Sequence, residues 1–321
     1  AYFSKMQGNP LVALPTGTGK SVVIGELVRG VIQAYPGQRI MMLTHVKELI
    51  VQNLDKLLTL WPTAPAGVYS AGVGRKDSHL PITFAGIGSV AKVAERFGHI
   101  DLVLIDEAHL VSHDQDTMYR KFLADLKKVN PAVKVIGFTA TTYRAGLGSL
   151  TNGGIYTDIC YDQTTMEAFN RLVEEGFMAP LIPKRTTMEY DTTGVKVRGG
   201  EFAQQELQEA VDKESLTYAA CAETVQLGQD RKHWLIFAAG ITHAEHVASA
   251  LESMGVPTVV IHSKMTDEAR DEAIAGFKAG KYRAAVNNNV LTTGFDFPAI
   301  DLIAVLRPSK STVLWVQMLG R

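Results

Sequence analysis

The sequence predicts two tandem α/β units, each a parallel sheet flanked by helices, and three observations lead there. Short apolar runs alternate with longer amphipathic stretches, the pattern of buried strands and the helices that cover them. The alternation lapses in mid-chain and then resumes, so a single sheet does not account for the whole. A chain of 321 residues is also long enough to give each of two domains its own core.

In the first half the predicted strands are Leu11–Leu14, Ile40–Thr44, Ile82–Ala85, Leu102–Ile105 and Val133–Thr139. Helices fill the gaps. In Ser21–Gln33, for example, Val23, Ile24, Leu27, Val28 and Val31 recur at helical spacing. From about Arg144 to Asp162 the chain is rich in Gly, Thr and Asn and reads as irregular. A helical stretch begins near Thr165 and is closed by Ala179, Pro180 and Pro183. This Pro-bearing connection predicts units of 1–180 and 181–321. The polar segment 191–215, with Gly194, Gly199 and Gly200, reads as an excursion of the second unit. The strands of that unit are Trp234–Ala238, Thr258–His262, Arg283–Val286 and Leu302–Leu306.

Composition narrows the class. Charged residues make up 20% and the hydrophobic set 46%, the profile of a folded globular chain. No apolar run reaches the roughly 20 residues that span a bilayer, and the first residues show no secretory pattern, so a cytoplasmic protein without membrane contact is expected. Cys160 and Cys221 lack close partners and read as two reduced, buried thiols. With a net charge of −1, any grip on a polyanion must come from a local groove and not from overall charge. Arg75–Lys76, Lys127–Lys128 and Lys184–Arg185 are local basic pairs that also suit a solvated surface.

Two segments carry chemistry. Ala13-Leu-Pro-Thr-Gly-Thr-Gly-Lys-Ser21 follows the first apolar run directly. Its glycines allow backbone N–H groups to wrap nucleotide phosphates ahead of a helix N-terminus. Lys20 would reach the outer phosphates and the Ser21 hydroxyl would hold Mg²⁺. Leu14 stands where the general pattern has its first glycine. In the second segment the strand Leu102–Ile105 delivers Asp106 and Glu107 at its C-terminal end, where open α/β sheets bind ligands. Asp106 suits Mg²⁺ and Glu107 suits an attacking water. Further along, Thr139-Ala140-Thr141 ends a strand, with hydroxyls able to bond a neighbouring carboxylate segment, and Arg144 closes the stretch. In the second unit, Leu291–Asp296 and Gln317–Arg321 complete the set, and Arg321 suits an arginine finger.

Pro15–Ser21, Asp106–His109, Thr139–Thr141, Leu291–Asp296 and Gln317–Arg321, in this order, resemble the motifs of superfamily 2 helicases of the DEAH-box type. Thr44–Leu49, Ala71–Lys76, Val290–Pro298 and Leu306–Pro308 resemble the bacterial RadD family of DNA-repair ATPases. The resemblance implies two RecA-like domains with ATP in the cleft between them and nucleic acid running across both. It implies that Thr16, Gly17, Thr18, Gly19, Lys20, Ser21, Gly294 and Asp296 bind ATP, with Mg²⁺ at Ser21 and Asp106. Glu107, Gln317 and Arg321 would be catalytic, and His109, Thr139 and Thr141 would couple hydrolysis to movement. Thr44, His45, Lys47, Ser89 and Thr292 would meet the nucleic-acid backbone. The pattern departs at Thr142, where the superfamily has proline, and at Ala108, where RadD proteins have Cys. An upstream glutamine and a second arginine would lie outside these residues, so the chain reads as the core of a longer protein.

The expected activity is an ATP-dependent DNA helicase or translocase of bacterial or phage origin, acting in repair or recombination on single-stranded or branched DNA. An RNA-dependent ATPase and the motor of a restriction or anti-phage assembly stay open as alternatives. Repair or defence partners would dock through regions outside this chain. His109 and His113 are a helical turn apart, while His233, His243, His246 and His262 lie in the second unit without a metal-ligand pattern. Trp61, Trp234 and Trp315 could stack on bases, but Trp234 opens a strand and reads as core, and Trp61, which precedes a proline, stays unassigned.

Overall fold

The computed structural model describes residues 2–4, 7–111, 117–144, 148–292 and 294–321, so His113 and Thr293 lie outside the described residues. The chain divides into two compact units, Ala1–Ala179 and Pro180–Arg321.

The first unit is built on an eight-stranded sheet. In chain order its elements begin β1 (Pro10–Ala13), α1 (Lys20–Ala34), β2 (Ile40–Thr44), α2 (Lys47–Leu60), β3 (Ala66–Ser70), β4 (Arg75–Lys76) and β5 (Ile82–Gly86). They continue with α3 (Ile87–Val90), β6 (Leu102–Ile105), α4 (Met118–Val129) and β7 (Lys134–Thr139). The two-residue strands β8 (Tyr143–Arg144) and β9 (Gly148–Ser149) follow, then β10 (Asp158–Asp162) and α5 (Met166–Glu174). The strand order is β10-β1-β7-β6-β2-β5-β3-β4, and every pairing is parallel except that of β3 with β4.

Alternation along each strand sends neighbours to opposite faces. Met41 and Leu43 of β2 join one buried cluster with Val103, Ile105 and the α4 residues Phe122 and Leu126. Ile40 and Met42 join the other, with Leu102, Leu104, Ile24 and Val28 of α1 and Leu54 and Leu57 of α2. Both faces are therefore covered, which is why these strands read as unbroken apolar runs. Burial also explains the cores of α1 and α2, whose inward residues recur every three or four positions.

Two expectations fail in this unit, and one of its five-residue strands is unexpected. The stretch 144–162 is not irregular throughout, because β10 pairs along β1 from Pro10–Asp158 to Ala13–Asp162. The unexpected strand is β3, whose sequence Ala66-Gly-Val-Tyr-Ser70 is short and only weakly apolar. Cys160, expected to be buried, is exposed on the edge strand β10, whose central residues Ile159, Cys160 and Tyr161 are all exposed.

The second unit begins with the short hairpin β11 (Val197–Arg198) and β12 (Glu201–Phe202) and continues with α6 (Gln204–Val211) and α7 (Glu214–Leu227). Then come β13 (Trp234–Ala238), α8 (Ile241–Ser253), β14 (Thr258–His262), α9 (Asp267–Lys278), β15 (Ala284–Asn288), β16 (Leu302–Leu306) and α10 (Thr312–Leu319). Its sheet runs β14-β15-β13-β16, all parallel. Trp234, Ile236 and Ala238 pack on one side with α7 and α8 residues, among them Cys221, Val247 and Leu251. Leu235 and Phe237 pack on the other with Phe277 and Met318. The polar excursion is more ordered than its composition suggests: Phe202, Leu207 and Val211 form a small buried cluster with Ala239. Trp61 packs partly buried against the first unit's core and donates its indole N–H to Thr63 Oγ1 at 3.1 Å. No helix among the described residues is long and apolar enough to cross a membrane.

Candidate functional site

The glycine loop leaves β1 at its C-terminal end. Leu14 N–H donates to Thr139 O at 2.9 Å, tying the loop to the neighbouring end of β7. The Leu14 side chain is buried, so the residue in the first-glycine position serves as core. Thr18 closes the turn by donating its hydroxyl to Pro15 O at 2.7 Å. Gly17 (φ +86°) and Gly19 (φ +78°) take the left-handed backbone that a side chain disfavours. This leaves the N-terminus of α1 open, with Gly19 as a cap that offers no side-chain bond. Thr16 is half-buried, Lys20 starts the helix and Ser21 is buried behind it.

Lys20 reaches across to the carboxylates that follow β6. Its Nζ stands 2.8 Å from Glu107 Oε1 and 3.1 Å from Asp106 Oδ1. Burial disfavours its charge, yet Asp106 and Glu107 together outweigh that effect and raise its pKa above the ordinary lysine value. Asp106 is held on both oxygens. Oδ1 accepts the Glu107 backbone N–H at 2.9 Å and Oδ2 accepts from Asn53 Nδ2 at 3.0 Å. Glu107 sits at φ +52°, a left-handed conformation uncommon for a non-glycine residue. Carboxylate and hydroxyl are the hard oxygen donors that Mg²⁺ takes, and an ammonium already rests against both carboxylates. Asp106 and Ser21 thus fit the ion.

Next to this pair lies His109, in a short helical turn at Ala108–Leu110. Its Nδ1 stands 3.1 Å from Thr139 Oγ1 and 3.3 Å from Glu107 Oε2. Thr139 spends its single hydroxyl proton on Thr141 O at 2.8 Å, so His109 Nδ1 must carry the proton in this contact. Burial drives the His109 pKa down to about 4 against the opposing pull of Glu107, leaving the ring neutral near pH 7. Thr139 Oγ1 also accepts the Thr141 N–H at 3.1 Å. The expected relay is therefore narrower than two hydroxyls: Thr141 takes part through its backbone, and its own buried hydroxyl bonds nothing among the described residues.

Of the residues expected at nucleic acid, Lys47 is half-buried at the start of α2 and His45 is exposed just before it. The Lys47 stem passes over Gly72, where a Cβ would stand 3.6 Å from Lys47 Cδ. Thr44 is fully buried and its Oγ1 accepts the Val46 N–H at 3.3 Å. Ser89 is partly buried and its Oγ accepts the Ala71 N–H at 2.9 Å. These two hydroxyls shape the loops beside Lys47.

In the second unit, Gly294 takes φ +74°, Asp296 is exposed and Thr292 is buried. Arg321 donates to Thr292 O and Phe295 O, both at 2.5 Å, and Gln317 is buried one turn before it on α10. Arg321 thus rests on the loop that carries Gly294 and Asp296. Among the described residues no His, Cys, Asp and Glu cluster could hold a further metal. Asn53 is the site residue that sequence reading missed, although it is the one polar residue in the buried stripe of α2.

Comparison with known proteins gives two family matches. Residues 1–144 match "Type III restriction enzyme, res subunit", and residues 217–321 match "Helicase conserved C-terminal domain". The chain is 26% identical over 324 residues to a putative ATP-dependent helicase, IRC3, of Saccharomyces cerevisiae, covering 97% of this chain and 45% of that protein. Dbp5 of S. cerevisiae, solved with RNA and ADP BeF3, superposes with a TM-score of 0.61 at 15–16% identity, covering 99% of this chain and 76% of that one. The helicase Lhr of Mycobacterium smegmatis, solved with ssDNA and AMP-PNP, gives 0.61 at 21% identity, covering 98% and 42%. The chain spans about half the length of the curated relatives it matches.

Proposed function

We propose that this chain, which carries the superfamily 2 core of an ATP-hydrolysing helicase, is the motor of a RadD-like DNA helicase or translocase acting in repair or recombination. The observation that carries the reading is the Lys20 ammonium held between Asp106 and Glu107 beside the glycine loop. A lysine there can exchange its carboxylates for nucleotide phosphates as ATP enters. Ser21 and Asp106 would hold Mg²⁺, which supplies charge neutralisation at the phosphates when bound. Glu107 polarises the attacking water, and His109 with Thr139 reports the state of Glu107 to the end of β7. For the second unit the reading rests on its motifs alone: Arg321 and Gln317 would serve the outer phosphate, and Gly294 and Asp296 would take part in nucleotide binding. The chemistry is largely electrostatic, and stepping follows from alternating grip on the strand.

Lys47 and His45, with Thr44 and Ser89 shaping their loops and Thr292 in the second unit, support a grip on the nucleic-acid backbone. Since such a grip reads phosphates, the 2′-hydroxyl separates RNA from DNA. A second reading, the motor of a restriction or defence assembly, is favoured by the restriction-subunit match over residues 1–144. ATP turnover measured with single-stranded DNA, branched DNA, and RNA of the same sequence tests the choice. DNA should stimulate hydrolysis at least tenfold and RNA far less. Equal or stronger stimulation by RNA would overturn the DNA assignment.

A further inference from the structure

We infer that Asn53 is a positioning residue that holds the Asp106 carboxylate for its metal ion. The inference rests on the nucleotide-site reading above and deepens it. Helix α2 buries Leu49, Ile50, Asn53, Leu54 and Leu57, so an apolar residue at position 53 would complete the stripe. Asn53 is instead 1% exposed, and its Oδ1 has no hydrogen-bond partner among the described residues. A buried amide with an unmet acceptor is unfavourable unless its other half does something the fold needs. Here the amide nitrogen faces Asp106 Oδ2 at 3.0 Å, and Asp106 is itself 1% exposed. The amide cannot be turned over, because Oδ1 against a carboxylate oxygen would bring two acceptors together.

The bond fixes what the backbone alone leaves free. Oδ1 accepts the Glu107 N–H and lies beside Lys20 Nζ, and Oδ2 is the second anchor that stops the carboxylate rotating about its Cβ–Cγ bond. When Lys20 turns to phosphate, Oδ1 loses a cation while Oδ2 keeps its donor. The carboxylate then stays aimed for a metal ion without reordering. Partners of this kind commonly affect metal affinity by about 10–100-fold. Among the described residues Asn53 bonds neither the glycine loop's backbone nor Lys20, so nucleotide binding without metal should not need it.

The test uses the full chain with ADP and Mn²⁺. Manganese affinity of the ADP complex is read by electron paramagnetic resonance, and ADP affinity in EDTA by calorimetry. In Asn53→Leu the Mn²⁺ affinity should fall at least tenfold while the metal-free ADP affinity stays within twofold of the parent. Asn53→Ser, smaller and without the reach to Oδ2, guards against a leucine variant that does not fold and should show the same split. Mn²⁺ affinity within twofold of the parent in both variants, or an equal loss of ADP with and without metal, would overturn the inference and leave the nucleotide site standing. A parent chain that binds no ADP would overturn both.

Discussion

Beyond the phosphate contact proposed for it, Lys20 in this structure neutralises two adjacent, nearly inaccessible carboxylates. Lys20→Ala should therefore abolish tight binding of ATP with Mg²⁺ and also lower stability by about 3 kcal/mol, the scale for stripping the partner from a buried ion pair. Glu107→Gln keeps the lysine's bond to Asp106, so calorimetry should find nucleotide binding intact and turnover stopped. Equal loss of binding in the two variants would refute these roles. His243 offers a separate residue-scale prediction. It is fully buried on α8, accepts the Ala239 N–H at 3.2 Å through Nδ1, and burial lowers its pKa to about 4. Since the unfolded chain takes up this proton near pH 6.5, the stability of the neutral ring is present above that pH and lost as pH falls towards 4. The loss is about 3 kcal/mol. Urea titrations at pH 7 and pH 4.5 should show the fall, and His243→Asn, which keeps an acceptor for Ala239, should reduce it.

Elements were legible where burial on both faces made strands continuous and apolar. Ile40–Thr44, Leu102–Ile105 and Trp234–Ala238 stand where their sequences put them. β10 was hidden because an edge strand with one partner needs no apolar run, and its Ile159, Cys160 and Tyr161 are all exposed. The glycine loop and the carboxylate pair could be read because spacing and strand ends fix them locally. The Lys20–Asp106 contact, the Asn53 bond and the unequal parts of Thr139 and Thr141 depend on side chains brought together from distant positions. This last difference is testable at the end of β7. Thr139→Val removes both the acceptor for His109 and the bond to Thr141 O, at a cost of about 1–2 kcal/mol. It should uncouple nucleic-acid stimulation from basal hydrolysis. Thr141→Val removes a hydroxyl that bonds nothing among the described residues and should leave stimulation near the parent's. Stimulation lost equally in both would return these residues to a purely structural role.

For the whole molecule, a net charge of −1 means that polyanion binding cannot come from overall attraction. It has to come from a few cations placed along a path, and each then carries a measurable share. Single-stranded DNA binding by this chain should weaken linearly in log–log form with salt, by about 0.7 of a slope unit per phosphate neutralised. Lys47 stands at the head of α2 with its stem packed over Gly72, so its charge is held near the surface at little entropic cost. Lys47→Glu should weaken binding at low salt and make the slope shallower by about 0.7, because one phosphate contact is lost. Fluorescence anisotropy between 50 and 300 mM salt on parent and variant measures both quantities. If affinity falls but the slope holds, Lys47 supports the loop without meeting a phosphate. If neither changes, the strand's path does not pass the start of α2, and His45 beside it leaves the interface as well.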